Sequence, residues 1–227
     1  MSMGKMVVRR LGPVARQMTP KAAAGFFRTI LDAAIDGRTG FPGAATVAQR
    51  HLDRCGGDGV KAVDGIIEQH VRLAGGQGFL TSLGGFAAMA LTLPANVTGL
   101  AILQARMVAA IAHVRGYDLS DPRVRTAIVA CMLGEEASDK LLRKKVLPTS
   151  PLGLATAPVH DPELDNQLAA ELATILTTQV GGKRLGLAVS RRIPLLGGGV
   201  GAVVDGVATY RIGRYAQREL PPRRKPE

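Results

Sequence analysis

The feature of this sequence that most constrains its fold is a run without any charged residue, from Leu73 to Ala105. Such a run is long enough in principle to span a bilayer, but Gly84, Gly85 and Pro94 interrupt it. Its most apolar window, residues 79–93, is shorter than the roughly 20 residues that a transmembrane helix needs. We therefore expect a buried, re-entrant or surface-inserted apolar hairpin near the centre of the fold, divided at Pro94.

The amino-acid composition predicts an all-α fold, a single multi-helix bundle around this hairpin. Hydrophobic residues make up 46% of the 227 residues, which is enough to bury a core. Aromatic residues are only 4% and tryptophan is absent, which disfavours a β-sandwich. The pattern divides the chain into a basic mobile N-terminal arm (1–18), a helical domain (19–220) and a basic C-terminal tail (221–227).

Glycine and proline residues set the expected helix boundaries. The pair Asp161–Pro162 has the signature of an N-cap followed by a proline in the first turn. Helix ends are expected at Gly75–Gly76, at Gly181–Gly182 and at Ile193–Pro194. The proline-rich segment 147–158 is the best candidate for an internal linker.

No residue pattern supports catalysis, a cofactor or a metal ion. Cys55 and Cys131 are far apart with no second thiol near either, so we expect both to be reduced core residues. The four histidines are scattered, with no glutamate at the spacing of helical metal ligands. Acidic residues in 135–139 adjoin basic ones at the spacing of ordinary surface pairs. We therefore assign no catalytic residue, no cofactor and no metal.

A strong positive charge accompanies the uncharged middle of the chain. The formal net charge is +11, which favours an anionic partner. Basic residues beside insertable apolar helices are typical of proteins that hold an anionic membrane surface. The aromatic residues are not interleaved with the arginines as a base-stacking surface requires, so nucleic acid is disfavoured as a partner. The alternative that the charges only keep a basic protein soluble stays open.

The apolar side chains expected to face a membrane or partner are Phe79, Leu80, Leu83, Phe86, Met89, Leu91 and Leu93. The basic surface residues are Arg9, Arg10, Arg143, Lys144, Lys145, Lys183, Arg184, Arg191, Arg192, Arg223, Arg224 and Lys225.

The first residues of the chain lack the pattern of a secretion signal. Val7 and Val8 are followed at once by Arg9 and Arg10, so no apolar segment follows the positive charges. We therefore expect a cytoplasmic protein, peripheral to the inner membrane.

Several blocks of the sequence match a known pattern. They are Leu93–Asn96, 103–112 and Gly116–Leu119, and later Ile193–Pro194, 197–201 and Asp205. On these residues the chain, from about Thr19 to Leu220, resembles the EcsC family of bacterial proteins. The resemblance implies an α-helical domain associated with membrane or export biology, with no established reaction. The family is named for a protein encoded beside an ABC transporter, so a membrane transport complex is an expected partner. The family-matched polar residues are Asn96, where the resemblance leads us to expect aspartate, Gln104, Tyr117 and Asp118.

Two further matched polar residues, Arg106 and Asp205, each lie in a weakly charged helix. We expect them to form a partly buried ion pair between the central and last helices, or alternatively an anion or headgroup site. The favoured function is a non-enzymatic accessory protein, a lipid-binding protein or adaptor, on an anionic membrane. One alternative is a lipid-modifying or hydrolase-like enzyme with a helical site near Asp118, Arg106 and Asp205. Another is a soluble module whose apolar stretch forms a homo-oligomer interface.

Overall fold

Helices account for the regular structure of the residues that the structure describes. The computed structural model describes residues 20–37, 41–83, 85–189 and 194–223, with side chains described in 21–37, 41–76, 98–175 and 203–223. These ranges contain nine helices and no strand, which confirms the expected all-α bundle. In chain order the helices are α1 (Pro20–Ile35), α2 (Ala44–Arg54), α3 (Gly59–Leu83), α4 (Gly85–Val114), α5 (Pro122–Leu133), α6 (Glu135–Arg143), α7 (Pro151–Ala155), α8 (Pro162–Val189) and α9 (Pro194–Glu219).

An aspartate placed just before a proline starts two of the helices. Asp121 precedes Pro122, and its carboxylate accepts a hydrogen bond from the backbone N–H two residues later at 2.8 Å. Asp161 precedes Pro162 and accepts the equivalent hydrogen bond at 2.9 Å. Each carboxylate satisfies a backbone donor that the first turn leaves without a partner. The start expected at Asp161–Pro162 is therefore confirmed.

The segment expected to be a linker is part of the packed domain. Ser150 and Pro151 begin the short helix α7, and the Ser150 hydroxyl accepts from the N–H of Gly153. Leu147 and Leu154, on either side of this start, are both buried in the hydrophobic core. The linker prediction for 147–158 is wrong, because leucines at core spacing anchor a segment that its prolines alone mark as irregular.

Some expected helix boundaries also differ. Helix α3 continues through Gly75–Gly76 to Leu83, α4 contains Pro94, and α8 continues through Gly181–Gly182. A glycine inside a helix costs about 1 kcal/mol relative to alanine and a proline about 3 kcal/mol, which packing along a long helix can offset. Helix α3 ends at Leu83 and α4 begins at Gly85, so the division expected at Pro94 is wrong. The break expected before α9 is confirmed.

Helices α3 and α4 form an antiparallel hairpin. Near the start of α3, a Cβ on Gly59 would lie 3.5 Å from the Val114 side chain at the end of α4. Farther along α3, Nε2 of His70 lies 3.4 Å from Nε of Arg106 on α4. Residue numbers thus rise on one helix as they fall on the other. The two helices have 25 and 30 residues, but in the part of the chain that the structure describes no helix has both the length and the apolar character to cross a membrane.

Helix α9 runs antiparallel to α3 and packs closely against it through two glycines. A Cβ placed on Gly206 would lie 3.7 Å from the side chain of Val71, and one on Gly213 would lie 3.0 Å from that of Ile67. Helix α3 therefore ends where α4 and α9 begin. We call this end of the bundle the hairpin end.

The core lies at the end of the bundle opposite the hairpin end. There the second half of α4 is surrounded by other helices. From Ala105 to Ala112 every α4 residue is buried, against α1, α2, α3, α5 and α9. The large side chains that are fully buried include Phe27, Ile30, Ile66, Met107, Ile111, Ile128, Leu147, Leu168, Leu172 and Leu220.

Candidate functional site

A row of exposed apolar side chains runs along the outer face of α9. Val203, Val207 and Tyr210 are 63%, 44% and 51% exposed, and their spacing places them on one face of the helix. Asp205, Thr209 and Ile212, on the opposite face, are buried. We call Val203, Val207 and Tyr210 the α9 stripe. An apolar row of this kind on a protein surface is typical of an interaction site.

The surroundings of the α9 stripe change along the helix. Toward the hairpin end, Val204 and, on α3, Leu73 are also exposed, at 41% and 44%. Toward the other end, Arg211 and Arg214 are exposed, and Arg214 forms an ion pair with Asp64 of α3 at 3.2 Å. Val204 and Leu73 thus add exposed apolar side chains toward the hairpin end, and arginines follow the stripe beyond Tyr210.

The apolar residues predicted to face a membrane or partner fall on the helices of the hairpin end. Phe79, Leu80 and Leu83 belong to α3, and Phe86, Met89, Leu91 and Leu93 to α4. Their side chains lie outside the described residues, as does that of Asn96. The charge-free run is helical on both sides of residue 84, and its α4 portion becomes buried from Ala101 onward, apart from the half-buried Ile102.

The buried partner of Arg106 is His70, not the expected Asp205. Nδ1 of His70 donates to the carbonyl oxygen of Ile66 at 2.7 Å, so Nε2 is left to accept from Nε of Arg106 at 3.4 Å. Among the described residues, no ion pair joins Arg106 to Asp205. Burial lowers the pKa of the Arg106 guanidinium, and burial followed by the charge of Arg106 lowers the pKa of His70 to about 4.

Helical geometry explains why the expected ion pair does not form. Gln104 faces α9, where its Nε2 donates to Oγ1 of Thr209 at 3.2 Å in the buried interface. Residues 104 and 106 are about 200° apart around a helix, so Arg106 points away from α9 and toward α3. Asp205 is 5% exposed, one turn before Thr209, and makes an interaction of its own.

Tyr117 and Asp118 lie in the loop after α4, which contacts residues 221–223. The Tyr117 hydroxyl donates to the carbonyl of Pro221 at 3.1 Å, and the Arg223 guanidinium lies over its ring at 5.4 Å. The N–H of Arg223 donates to the carbonyl of Arg115 at 2.8 Å. The part of the predicted tail that the structure describes, 221–223, is thus attached to the domain. Burial raises the pKa of Tyr117.

Asp118 is exposed and stabilises the turn. Its carboxylate accepts from the hydroxyl and the N–H of Ser120 at 2.7 and 2.9 Å, and these hydrogen bonds lower its pKa. Arg106 faces α3 and Asp205 lies on α9. The structure does not bring these three residues into the single site that the enzyme hypothesis requires.

The predicted basic residues are exposed wherever their side chains are described. Arg143, Lys144 and Lys145 follow one another at the end of α6, and Arg223 lies near the end of the chain. The other predicted basic side chains lie outside the described residues: Arg9, Arg10, Lys183, Arg184, Arg191, Arg192, Arg224 and Lys225.

A pocket that sequence reasoning missed lies between α1, α5 and α8. Its volume is about 150 Å³. Oδ1 of Asp165 accepts from the Thr126 hydroxyl at 2.5 Å, and Oδ2 lies 2.9 Å from Nε2 of His160. The residues come from distant parts of the chain with no shared motif, so the sequence carried no signal for them. The lining residues are Ala24, Phe27, Arg28, Leu31, Pro122, Arg125, Thr126, Val129, His160, Asp165 and Ala169.

Comparison with known proteins identifies one family. The model of the EcsC protein family matches residues 51–224, which include α3 to α9 but not α1. No curated protein and no solved structure matches the chain. Among the described residues, no group of three or more His, Cys, Asp or Glu side chains could hold a metal ion.

Proposed function

Because the chain belongs to the EcsC protein family, we propose that it is a non-enzymatic accessory protein that docks peripherally on an anionic membrane surface, at the cytoplasmic face of the inner membrane. In this proposal the hairpin end and the α9 stripe face the lipid. The observation that carries it is the exposure of the α9 stripe beside the charge-free run from Leu73 to Ala105.

The order of residues along α9 supports docking at a membrane surface. From the hairpin end outward come Val203 and Val207, then Tyr210, then Arg211 and Arg214. Apolar side chains enter the acyl region, tyrosine favours the boundary between lipid and water, and arginine favours the anionic headgroups. The α9 stripe and the two arginines that follow it therefore present these three chemistries in the order of the layers of a bilayer.

The expected strength of the interaction requires both apolar and basic residues. Burying a half-exposed valine contributes about 1 kcal/mol, since complete burial contributes about 1.5–3 kcal/mol. Each lysine or arginine near an anionic surface adds about 1 kcal/mol. A few side chains of each kind give reversible peripheral binding that salt weakens.

The test is co-sedimentation with protein-free vesicles of phosphatidylcholine alone and of phosphatidylcholine mixed with phosphatidylglycerol. The expected result is binding to the mixed vesicles that falls as salt rises. Val203→Ser combined with Val207→Ser should weaken this binding by about tenfold, the loss of roughly 1.4 kcal/mol or more. Val159→Ser is the matched control, because Val159 is 76% exposed but lies outside α9 and the hairpin.

Three results would contradict the proposal. They are equal binding to both vesicle types, equal binding by the stripe variant and the control, and no binding to either vesicle. Measuring the molecular size of the protein in the absence of lipid tests the alternative that the chain is a soluble oligomer. An oligomer that the stripe variant converts to monomer would assign the α9 stripe to a homo-oligomer interface instead.

A further inference from the structure

We propose that the pocket between α1, α5 and α8 binds a small amphiphilic carboxylate, with the carboxylate at the arginine rim and the hydrocarbon part against the apolar wall. This site is separate from the α9 stripe and does not depend on the proposed membrane docking.

The polar side of the pocket offers hydrogen-bond donors to a ligand. Among the described lining residues the only carboxylate is that of Asp165, which accepts from the Thr126 hydroxyl and contacts Nε2 of His160. Arg125 uses Nη1 for Asp32 at 2.9 Å and Nε for the carbonyl of Leu119 at 3.2 Å. These contacts engage both carboxylate oxygens of Asp165 and hold Arg125 in place.

The donors that remain belong to the two arginines. The described contacts leave Nη2 of Arg125 without a protein partner, and the exposed Arg28 guanidinium carries five N–H donors. A ligand that satisfies such a rim must bring acceptors. An oxyanion provides them, and the planar arginine group suits a carboxylate in particular.

The rest of the pocket is apolar and small. Its wall includes Phe27, Leu31, Val129 and Ala169, all buried in the core. An apolar cavity of about 150 Å³ holds a molecule the size of benzene, so this wall accommodates about six carbon atoms. Arginine at the rim and a hydrocarbon wall together favour a carboxylate with a short aliphatic or aromatic tail over an inorganic anion.

The test uses hexanoate as the probe and follows backbone amide resonances of the folded chain by NMR. Saturable shifts are expected at Thr126 and Ala169, with Kd on the order of 1 mM, as a ligand with so few atoms allows. Hexan-1-ol tests the need for the charge and acetate tests the need for the tail. Both should bind at least about fivefold more weakly.

Two variants locate the site. Arg28→Ala should weaken hexanoate binding by about fivefold, while Arg50→Ala, on exposed helix surface outside the pocket, should leave it unchanged. Ala169→Leu fills the pocket and should abolish binding. If Ala169→Leu does not fold, the comparison of Arg28→Ala with Arg50→Ala still tests where hexanoate binds.

Binding is overturned if hexanoate produces no saturable shift. Recognition of an amphiphilic carboxylate is overturned if hexanol or acetate binds as well as hexanoate. The location is overturned if Arg28→Ala and Arg50→Ala bind hexanoate equally. Anionic vesicles added in place of hexanoate distinguish the pocket from the α9 stripe. If vesicles alone shift the resonances of Thr126 and Ala169, the pocket is part of the membrane contact and not a separate site.

Discussion

Lowering the pH from 7 to 5 should destabilise the domain through His70. This side chain is fully buried, donates from Nδ1 to the carbonyl of Ile66 and accepts at Nε2 from Arg106. Protonation would place a second N–H at Nε2, directed at a guanidinium that already donates to it. The folded state therefore holds His70 neutral, with a pKa of about 4 against an ordinary value of 6.5.

The sign and size of this pH effect on stability follow from the linkage between proton binding and folding. Because the folded pKa is below the unfolded pKa, the unfolded chain binds the proton more tightly, and acid favours unfolding. The contribution is fully present above pH 6.5 and is lost as the pH falls through the window from 6.5 to about 4. Between pH 7 and pH 5 the loss in the free energy of unfolding is about 2 kcal/mol, approaching roughly 3 kcal/mol below pH 4.

The assay is urea unfolding at pH 7 and pH 5, followed by far-UV circular dichroism because the chain has no tryptophan. His70→Gln keeps an acceptor toward Arg106 but does not titrate, so its stability should change less with pH than that of the natural chain, by about 2 kcal/mol. His113→Gln, at an exposed position on α4, should retain the full pH dependence. An unchanged pH dependence in His70→Gln would refute the reasoning.

Three other outcomes follow from the packing. Arg106→Met should change the free energy of unfolding by less than about 1.5 kcal/mol, because its contact is a long hydrogen bond to a neutral imidazole, whereas a loss of about 3–5 kcal/mol would indicate a broken buried ion pair. Gly213→Ala should be less stable than Gly206→Ala by about 1–2 kcal/mol in the same assay, since the added Cβ meets Ile67 at 3.0 Å in the first case and Val71 only at 3.7 Å in the second. In the native protein Ellman's reagent should titrate Cys55 rapidly and Cys131 only after unfolding, because burial raises the pKa of the Cys131 thiol and denies access to it; rapid reaction of both would contradict the burial.

The sequence predicts the helical class well because apolar periodicity and cap residues are local signals. Asp161 before Pro162 starts a helix as expected, and α9 begins at Pro194. Glycine is a weaker signal. Gly75–Gly76 and Gly181–Gly182 lie inside long helices, because a glycine costs a helix only about 1 kcal/mol relative to alanine.

The sites are less predictable because they depend on which helices meet. Sequence reasoning placed Arg106 in a weakly charged helix but could not tell that it faces α3 and His70. The pocket joins Arg28, Thr126 and His160 from three separate parts of the chain. The exposure of the α9 stripe was equally unpredictable from the sequence, since a row of valines at helical spacing predicts a buried face as readily as an exposed one.

The most direct test of the proposed membrane docking is an environment-sensitive fluorophore attached at Val207→Cys in a chain that also carries Cys55→Ser and Cys131→Ala. Addition of vesicles containing phosphatidylglycerol should raise its emission several-fold and shift it to the blue, because the α9 stripe enters the lipid. The same label at Val159→Cys, a position more exposed to water than Val207, should not respond. Equal responses at both positions, or no response at Val207→Cys, would contradict the account.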